Sequence, residues 1–416
     1  MMFAKTLERQ KSLPLEAFGQ MLKSYGPRDF AVRFWDGTVW CAETSTPRFT
    51  LVLYSSAALE RLMNSRVSDL SLGEQFVNGE FDVEGDLESA TRLAEHLFAW
   101  CDLRAAEGKA CRRLTGGHCR RANGETARRA ALGGKRHSLA RDRRAIAYHY
   151  NVSNEFYRLW LDDSMVYSCG RFSKPSEDLN SAQQRRMASL CRKLKLKANQ
   201  RLVDIGCGWG GLMLYAAQRC GTHCLGITLS QPQADFANRR FKSAHVADRC
   251  RASVRDYREL NCSTPFDKAV SVGMLEHVGD SQLGEYFRRV FQLLRPGGTF
   301  LASGIADSLA CHAHTRPSFV TRYVFPDGEI VPIHILLRRA EEAGFEVRSV
   351  ENLRWDYAKT LRHWVARLEG CRDRALQVVD AGTYRAWRLY MAASARRFAI
   401  GQLCVFETVL TRPCES

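Results

Sequence analysis

Beyond residue 146 the chain alternates between two apolar rhythms. Short, nearly continuous apolar runs predict strands at 201–205, 223–228, 267–272 and 299–303. Between them, apolar positions recur every three to four residues and predict helices at 181–194, 211–220, 231–243, 281–294 and 334–343. A further strand leads into Asp256. This alternation predicts an α/β domain with a mainly parallel sheet and helices on both of its faces. Leu294-Arg295-Pro296-Gly297-Gly298-Thr299-Phe300 predicts a helix end, a Pro-Gly-Gly turn and a new strand.

The first hundred residues are patterned differently. Phe30 to Trp40 reads as two strands around Asp36-Gly37, and Phe49 to Tyr54 as a third. Helical patterns follow at 57–64 and 87–101, so a small α+β domain is predicted over 1–105. Residues 106–145 are rich in Arg and Gly and short of large apolar side chains. Such a stretch buries too little surface to order itself firmly, and a basic flexible linker is predicted there. The third segment, 146–416, is the α/β domain.

Within that domain the most informative stretch is Val203-Asp204-Ile205-Gly206-Cys207-Gly208-Trp209-Gly210-Gly211. A buried strand runs into a glycine turn and then into an apolar helix, the layout of a nucleotide-type cofactor site. Glycine permits the sharp turn and the close approach of a ligand to the main chain. Asp204 lies inside the strand, where an unpaired carboxylate is costly, so a charged or hydrogen-bonding partner is expected for it.

Composition narrows the setting. The 416 residues are 45% hydrophobic and 25% charged, as in a folded protein large enough for two domains. No run reaches the roughly 18 apolar residues of a membrane span. The N-terminal residues lack the apolar core of a signal peptide, which predicts a cytoplasmic protein. The fifteen cysteines include no CxxC pair, and most are expected to be small core residues or free thiols. Cys311-His312-Ala313-His314 has no second cluster to complete a metal site, and no metal is expected. The net charge of +16 implies an anionic partner, either nucleic acid or an acidic membrane. Residues 104–145 contain no Phe, Tyr or Trp to stack bases, which argues against nucleic acid.

Polar residues gather at the predicted carboxyl ends of the strands, where open α/β sheets bind ligands. The second strand ends in Thr228-Leu229-Ser230, followed by Gln233, rather than in the acidic residue usual for a nicotinamide ribose. Asp256 ends the third strand, and Gly273-Met274-Leu275-Glu276-His277 follows the fourth. This pattern fits a class I, Rossmann-like methyltransferase fold better than a dehydrogenase.

Several segments carry a more specific resemblance. Tyr148 to Asp162, Met165-Val166-Tyr167-Ser168-Cys169, Asp204 to Gly211, Gly226 to Ser230, Ser271 to Gly279 and Tyr323 to Gly328 occur in one order. Together they resemble the cyclopropane-fatty-acyl-phospholipid synthase family over about 146–410, and more weakly over 30–100. The resemblance implies transfer of a methyl group from S-adenosyl-L-methionine to a cis double bond of an unsaturated phospholipid acyl chain, giving a cyclopropane. It implies cofactor contacts from Tyr167, Ser168, Asp204, Gly206, Cys207, Gly208, Gly210, Gly211, Thr228, Leu229, Ser230, Gln233 and Asp256. It maps Glu276, Cys169 and Tyr357 onto positions that hold a bicarbonate base; His277, next to Glu276, reads from its place alone as a cap or brace of the loop. The N-terminal domain and basic linker would dock on anionic phospholipid at the inner membrane face, with room for a homodimer.

Two departures stand out. Ser303 takes the place of the family's bicarbonate-binding His, and Ser394 that of a C-terminal Cys. Serine carries no positive charge with which to orient an anion. The alternative expectation is therefore a related methyltransferase that makes a methyl- or methylene-branched fatty acid or methylates another small acceptor. A lipid-binding relative without turnover is a further reading.

Overall fold

Gly37, at φ +83°, closes the tight connection between β1 (Phe30–Arg33) and β2 (Val39–Trp40), and its amide donates to the Phe34 carbonyl at 2.9 Å. β3 (Phe49–Leu53) pairs parallel with β1, and β4 (Phe81–Gly85) antiparallel with β3, giving the order β2-β1-β3-β4. The Phe30 and Phe49 rings stack at 4.9 Å across the parallel pair. Helices Ser56–Met63, Asp69–Val77 and Leu87–Ala106 accompany this sheet. The computed structural model describes residues 16, 18–63, 67–106, 129–308 and 318–414.

The described residues divide into two units. The smaller comprises those of 1–129, 317–324 and 379–396, and the larger those of 130–316, 325–378 and 397–416. Two later segments thus join the N-terminal sheet. Arg385 donates to Asp82 at 2.7 Å and Arg388 to the Val83 carbonyl at 2.9 Å, and Phe319 fills the space that a Cβ on Gly73 would need. Apolar periodicity could not anticipate the two arginine ties, because charged side chains make them.

The larger unit is built on seven strands: β5 (Arg201–Ile205), β6 (His223–Thr228), β7 (Cys250–Val254), β8 (Phe266–Val272), β9 (Leu294–Asp307), β10 (Glu346–Asn352) and β11 (Leu403–Thr411). Their order is β10-β11-β9-β8-β5-β6-β7. β9, β8, β5, β6 and β7 run parallel, and β11 is antiparallel to both of its neighbours. Alternate residues feed two cores. Val203, Ala269 and Phe300 face one layer of helices, and Leu202, Val270 and Leu301 the other. Burial on both faces is why these strands read as continuous apolar runs.

Helices Gly211–Cys220 and Gln231–Ser243 match their predicted bounds, and each has a local cause. The first is bracketed by Gly210 and Gly221, both left-handed. The second starts at Ser230, whose hydroxyl accepts from the Gln233 amide, with Pro232 in its first turn. The Pro-Gly-Gly stretch is not a separate turn before a strand. β9 runs through it, and the pairing with β8 jumps from Phe266–Leu294 to Lys268–Thr299, so the extra residues form a bulge. Helix Leu139–Tyr150 begins within the segment expected as linker, while residues 107–128 lie outside the described ones. Among the described residues no helix is long and apolar enough to cross a membrane.

Candidate active site

The glycine turn after β5 crosses directly to β6. The Gly206 and Cys207 amides both donate to the Ile227 carbonyl, at 2.9 and 3.0 Å, and Gly206, Gly208 and Gly210 all have positive φ. This fold-back opens a cleft at the carboxyl ends of β5, β6 and β8. Of the residues expected at the cofactor, Tyr167, Ser168, Asp204, Gly206, Cys207, Gly208, Gly211, Thr228, Leu229, Gln233 and Asp256 line it.

Gly210 and Ser230 do not line the cleft. A Cβ on Gly210 would lie 2.6 Å from the Phe241 ring, so this glycine serves helix packing. Ser230 is fully buried, caps its helix and donates to Asn151 Oδ1 at 2.7 Å. Thr228 Oγ1 donates to Gln233 Oε1 at 2.7 Å, tying the end of β6 to that same helix.

The partner expected for Asp204 is not supplied by the fold. Its carboxyl is buried at the cleft wall, no hydrogen bond reaches it among the described residues, and burial alone raises its pKa to about 7. Asp256 differs. Arg258 donates to its two oxygens at 2.8 and 2.7 Å and continues to Asp142 at 2.7 Å.

Glu276 sits on the short helix Leu275–Val278 just past β8. β8 ends where the Gly273 amide donates to the Ser303 carbonyl at 2.9 Å. The next inward amide of β9, Ile305, donates instead to Glu276 Oε1 at 2.7 Å. Oε2 is buried with no hydrogen-bond partner among the described residues, and burial raises the Glu276 pKa to about 7. Cys169 and Tyr357 meet at one carbonyl. The Leu353 oxygen accepts from the Tyr357 amide at 3.0 Å and lies 3.7 Å from Cys169 Sγ, whose pKa is pushed up by burial. All three side chains stand behind the cleft wall rather than in its lining.

Several participants were not picked out by residue type alone. Tyr150, Trp209, Tyr257 and His277 line the cleft with Tyr167. His277 is stacked on Phe325 at 4.4 Å and shares a 3.1 Å hydrogen bond with Tyr150, and burial depresses its pKa to about 3, so it is neutral. The rings continue inward. Tyr167 lies 5.4 Å from Trp160 and 5.2 Å from Trp364, which is 6.0 Å from Tyr357. The signal for this enclosure was the aromatic density of residues 148–160, legible as a motif but not as a wall.

Arg186, also unexpected, lines the cleft while shut off from solvent. Nη1 pairs with Glu407 and Nη2 donates to Ser303 Oγ at 2.9 Å. Glu407 also pairs with Lys193. Among the described residues no cluster of His, Cys, Asp and Glu could hold a metal, and the Cys311–His314 tract lies outside them.

The family model described as mycolic acid cyclopropane synthetase matches residues 137–408, and one described as a domain of unknown function (DUF7884) matches 17–96. The chain is 36% identical over 392 residues to a probable fatty acid methyltransferase of Pseudomonas putida, covering 92% of this chain and 91% of that protein. It is 33% identical to the cyclopropane-fatty-acyl-phospholipid synthase of Escherichia coli strain K12 over 268 residues, 64% of this chain and 68% of that one. The solved structure of the mycolic acid cyclopropane synthase CmaA1 complexed with SAH and CTAB superposes with a TM-score of 0.61 at 28% identity, covering 65% of this chain and 98% of the other. With the seven-stranded sheet and the glycine-turn cleft, these likenesses place the chain in the mycolic acid cyclopropane synthetase family of S-adenosylmethionine-dependent methyltransferases.

Proposed function

We propose that the chain methylates a cis double bond of an unsaturated phospholipid acyl chain and closes it to a cyclopropane. The observation that carries this reading is the aromatic lining of the cleft, Tyr150, Tyr167, Trp209 and Tyr257, backed by Trp364 and Tyr357 behind Tyr167. An alkene is a weak nucleophile, so a water-poor, well-oriented site must do much of the work. Methyl transfer leaves positive charge on the acyl chain, and aromatic faces stabilise cations.

S-adenosylmethionine supplies the electrophilic methyl group on a sulfonium. Asp204 suits its ammonium group, because a buried carboxylate without a partner gains most from an incoming cation. The glycine turn gives the ligand backbone access, with Thr228, Leu229, Gln233 and Asp256 beside the adenosine and Tyr167 and Ser168 at the amino-acid end.

Bicarbonate would supply a base for the proton lost on ring closure. One feature supports such an ion: Glu276 Oε2 is a buried acceptor with no donor among the described residues. Glu276, Cys169 and Tyr357 would hold the ion. The +16 charge supports docking of the N-terminal unit and basic segment on anionic phospholipid at the inner membrane face.

A second reading is favoured by Ser303, which replaces the expected His, and by the similarity to a probable fatty acid methyltransferase. Proton loss from a neighbouring chain carbon would then leave a methyl-branched alkene, and a hydride shift followed by proton loss from the methyl group a methylene branch. Incubation with labelled S-adenosylmethionine and vesicles of a defined monounsaturated phospholipid tests both. Label in acyl chains that keep a ring after mild hydrogenation supports the first, and a branched chain supports the second. Cofactor binding with no label in the acyl chains overturns both.

A further inference from the structure

Arg186 presents an arrangement that the cofactor and the acyl chain do not explain. Its guanidinium is fully buried, and two of its three nitrogens are engaged, Nη1 by Glu407 and Nη2 by Ser303. The third, Nε, is buried with no hydrogen-bond partner among the described residues, although Arg186 is part of the cleft wall. An unmet donor on a buried cation is expensive, and the neighbouring carboxylate compensates it only in part, since Glu407 is divided between Arg186 and Lys193.

The charge is also of the wrong sign for the reaction proposed above. A sulfonium enters this cleft and a cationic acyl chain forms in it, and both are repelled by a guanidinium in a low dielectric. An anion between them resolves the conflict. The surroundings suit one. Ser303 lies two residues before Ile305 on β9, whose amide holds Glu276. Glu276, one of the residues mapped to the base, is therefore held by the same strand to which Arg186 is tied.

We infer that Arg186 is the cationic donor of a small planar oxyanion site in the cleft wall, with Ser303 and Glu407 fixing its orientation and Nε left for the ion. This rests on the methyltransferase reading and deepens it. In place of the expected His, the chain uses a guanidinium aimed by a serine. The same chemistry has two sources, free bicarbonate or the α-carboxylate of the methyl donor itself.

Binding separates these without turnover. Carbon-13-labelled bicarbonate is titrated into the full-length protein and followed by NMR, and S-adenosylhomocysteine is titrated by calorimetry, for the parent, Arg186→Lys and Arg186→Met/Glu407→Gln. The double variant removes both partners of the buried pair, so it avoids the stranded carboxylate that Arg186→Met alone would leave. The expected result is at least a tenfold weaker affinity for bicarbonate in the double variant, partial retention in Arg186→Lys, and less than a threefold change for S-adenosylhomocysteine. A loss confined to S-adenosylhomocysteine supports the site with the donor carboxylate as its ion. Unchanged affinity for both ligands in folded variants overturns the inference. Labelled methyl transfer to vesicles, run on the parent alone, reports separately on the proposed reaction.

Discussion

Glu276 occupies the place of a missing strand residue: its carboxylate takes the Ile305 amide at 2.7 Å where β8 has run out of backbone to pair with β9. One oxygen is thereby fixed and the other is presented without a donor. Glu276→Gln keeps the acceptor but removes the negative charge. It is expected to lower kcat by about 100-fold or more, the lower end of what positioned acid–base groups contribute, with little change in affinity for S-adenosylhomocysteine. Single-turnover methyl transfer and calorimetry measure the two. Near-parental turnover would remove Glu276 from the mechanism.

The cofactor affinity should depend on pH through Asp204. Burial raises its pKa to about 7, and the deprotonated form is the one that attracts a cation. Affinity for S-adenosylmethionine should therefore fall as the pH drops below about 7, approaching tenfold per unit, and Asp204→Asn should flatten the profile. Stability of the cofactor-free protein runs the other way. Asp204 and Glu276 hold protons in the native state that the unfolded chain has released, so stability falls as pH rises from about 4.5 to about 7. Thermal unfolding across that range checks the sign.

Two neighbouring glycines should fail for different reasons. At Gly208 (φ +52°) a Cβ meets nothing within 4 Å, so Gly208→Ala should cost about 1 kcal/mol of backbone strain yet project a methyl group into the cleft and weaken cofactor binding. At Gly210 (φ +75°) the Cβ would strike Phe241 and Ala237, so Gly210→Ala should cost about 2–5 kcal/mol. Melting temperature paired with cofactor titration distinguishes them. Equal loss of stability in both would refute the assignment.

A pH window is also set by His137 and Glu329. Asp142 and Glu329 raise the His137 pKa to about 9, and His137 lowers that of Glu329 to about 2. The histidine's contribution is complete below about 6.5 and lost through 9. The glutamate's is complete above about 4.5 and lost toward 2. Glu329 also accepts from the Asp280 amide at 2.9 Å, and its own amide donates to the Glu276 carbonyl. Glu329→Gln should lower the melting temperature most between pH 4.5 and 6.5, a difference that shrinks at pH 9.

The parallel strands and their helices were legible because doubly buried strands and one-sided helices leave different apolar periods. Helix Asp280–Leu293 shows this with Leu283, Tyr286, Phe287, Val290 and Leu293 buried at helical spacing. β10 escaped notice because it is largely exposed, with Arg348, Ser349 and Val350 all facing solvent. The cleft was legible because many of its lining residues follow strands immediately. Arg186 was not. In Leu179–Lys193 it reads as one more surface arginine beside Arg185, and only the return of β11 with Glu407 turns it inward.

That return has a consequence for how the protein is made. β11 follows β10 in sequence, yet it lies between β9 and β10 rather than at an edge. During synthesis, β10 cannot take its neighbour in the sheet, nor β9 its second one, nor Arg186 its counter-charge, until residue 407 is available. The cleft wall at Arg186 is thus completed only after β10 has been made, and a ribosome-bound chain halted before β11 should hold an open sheet edge and no competent site.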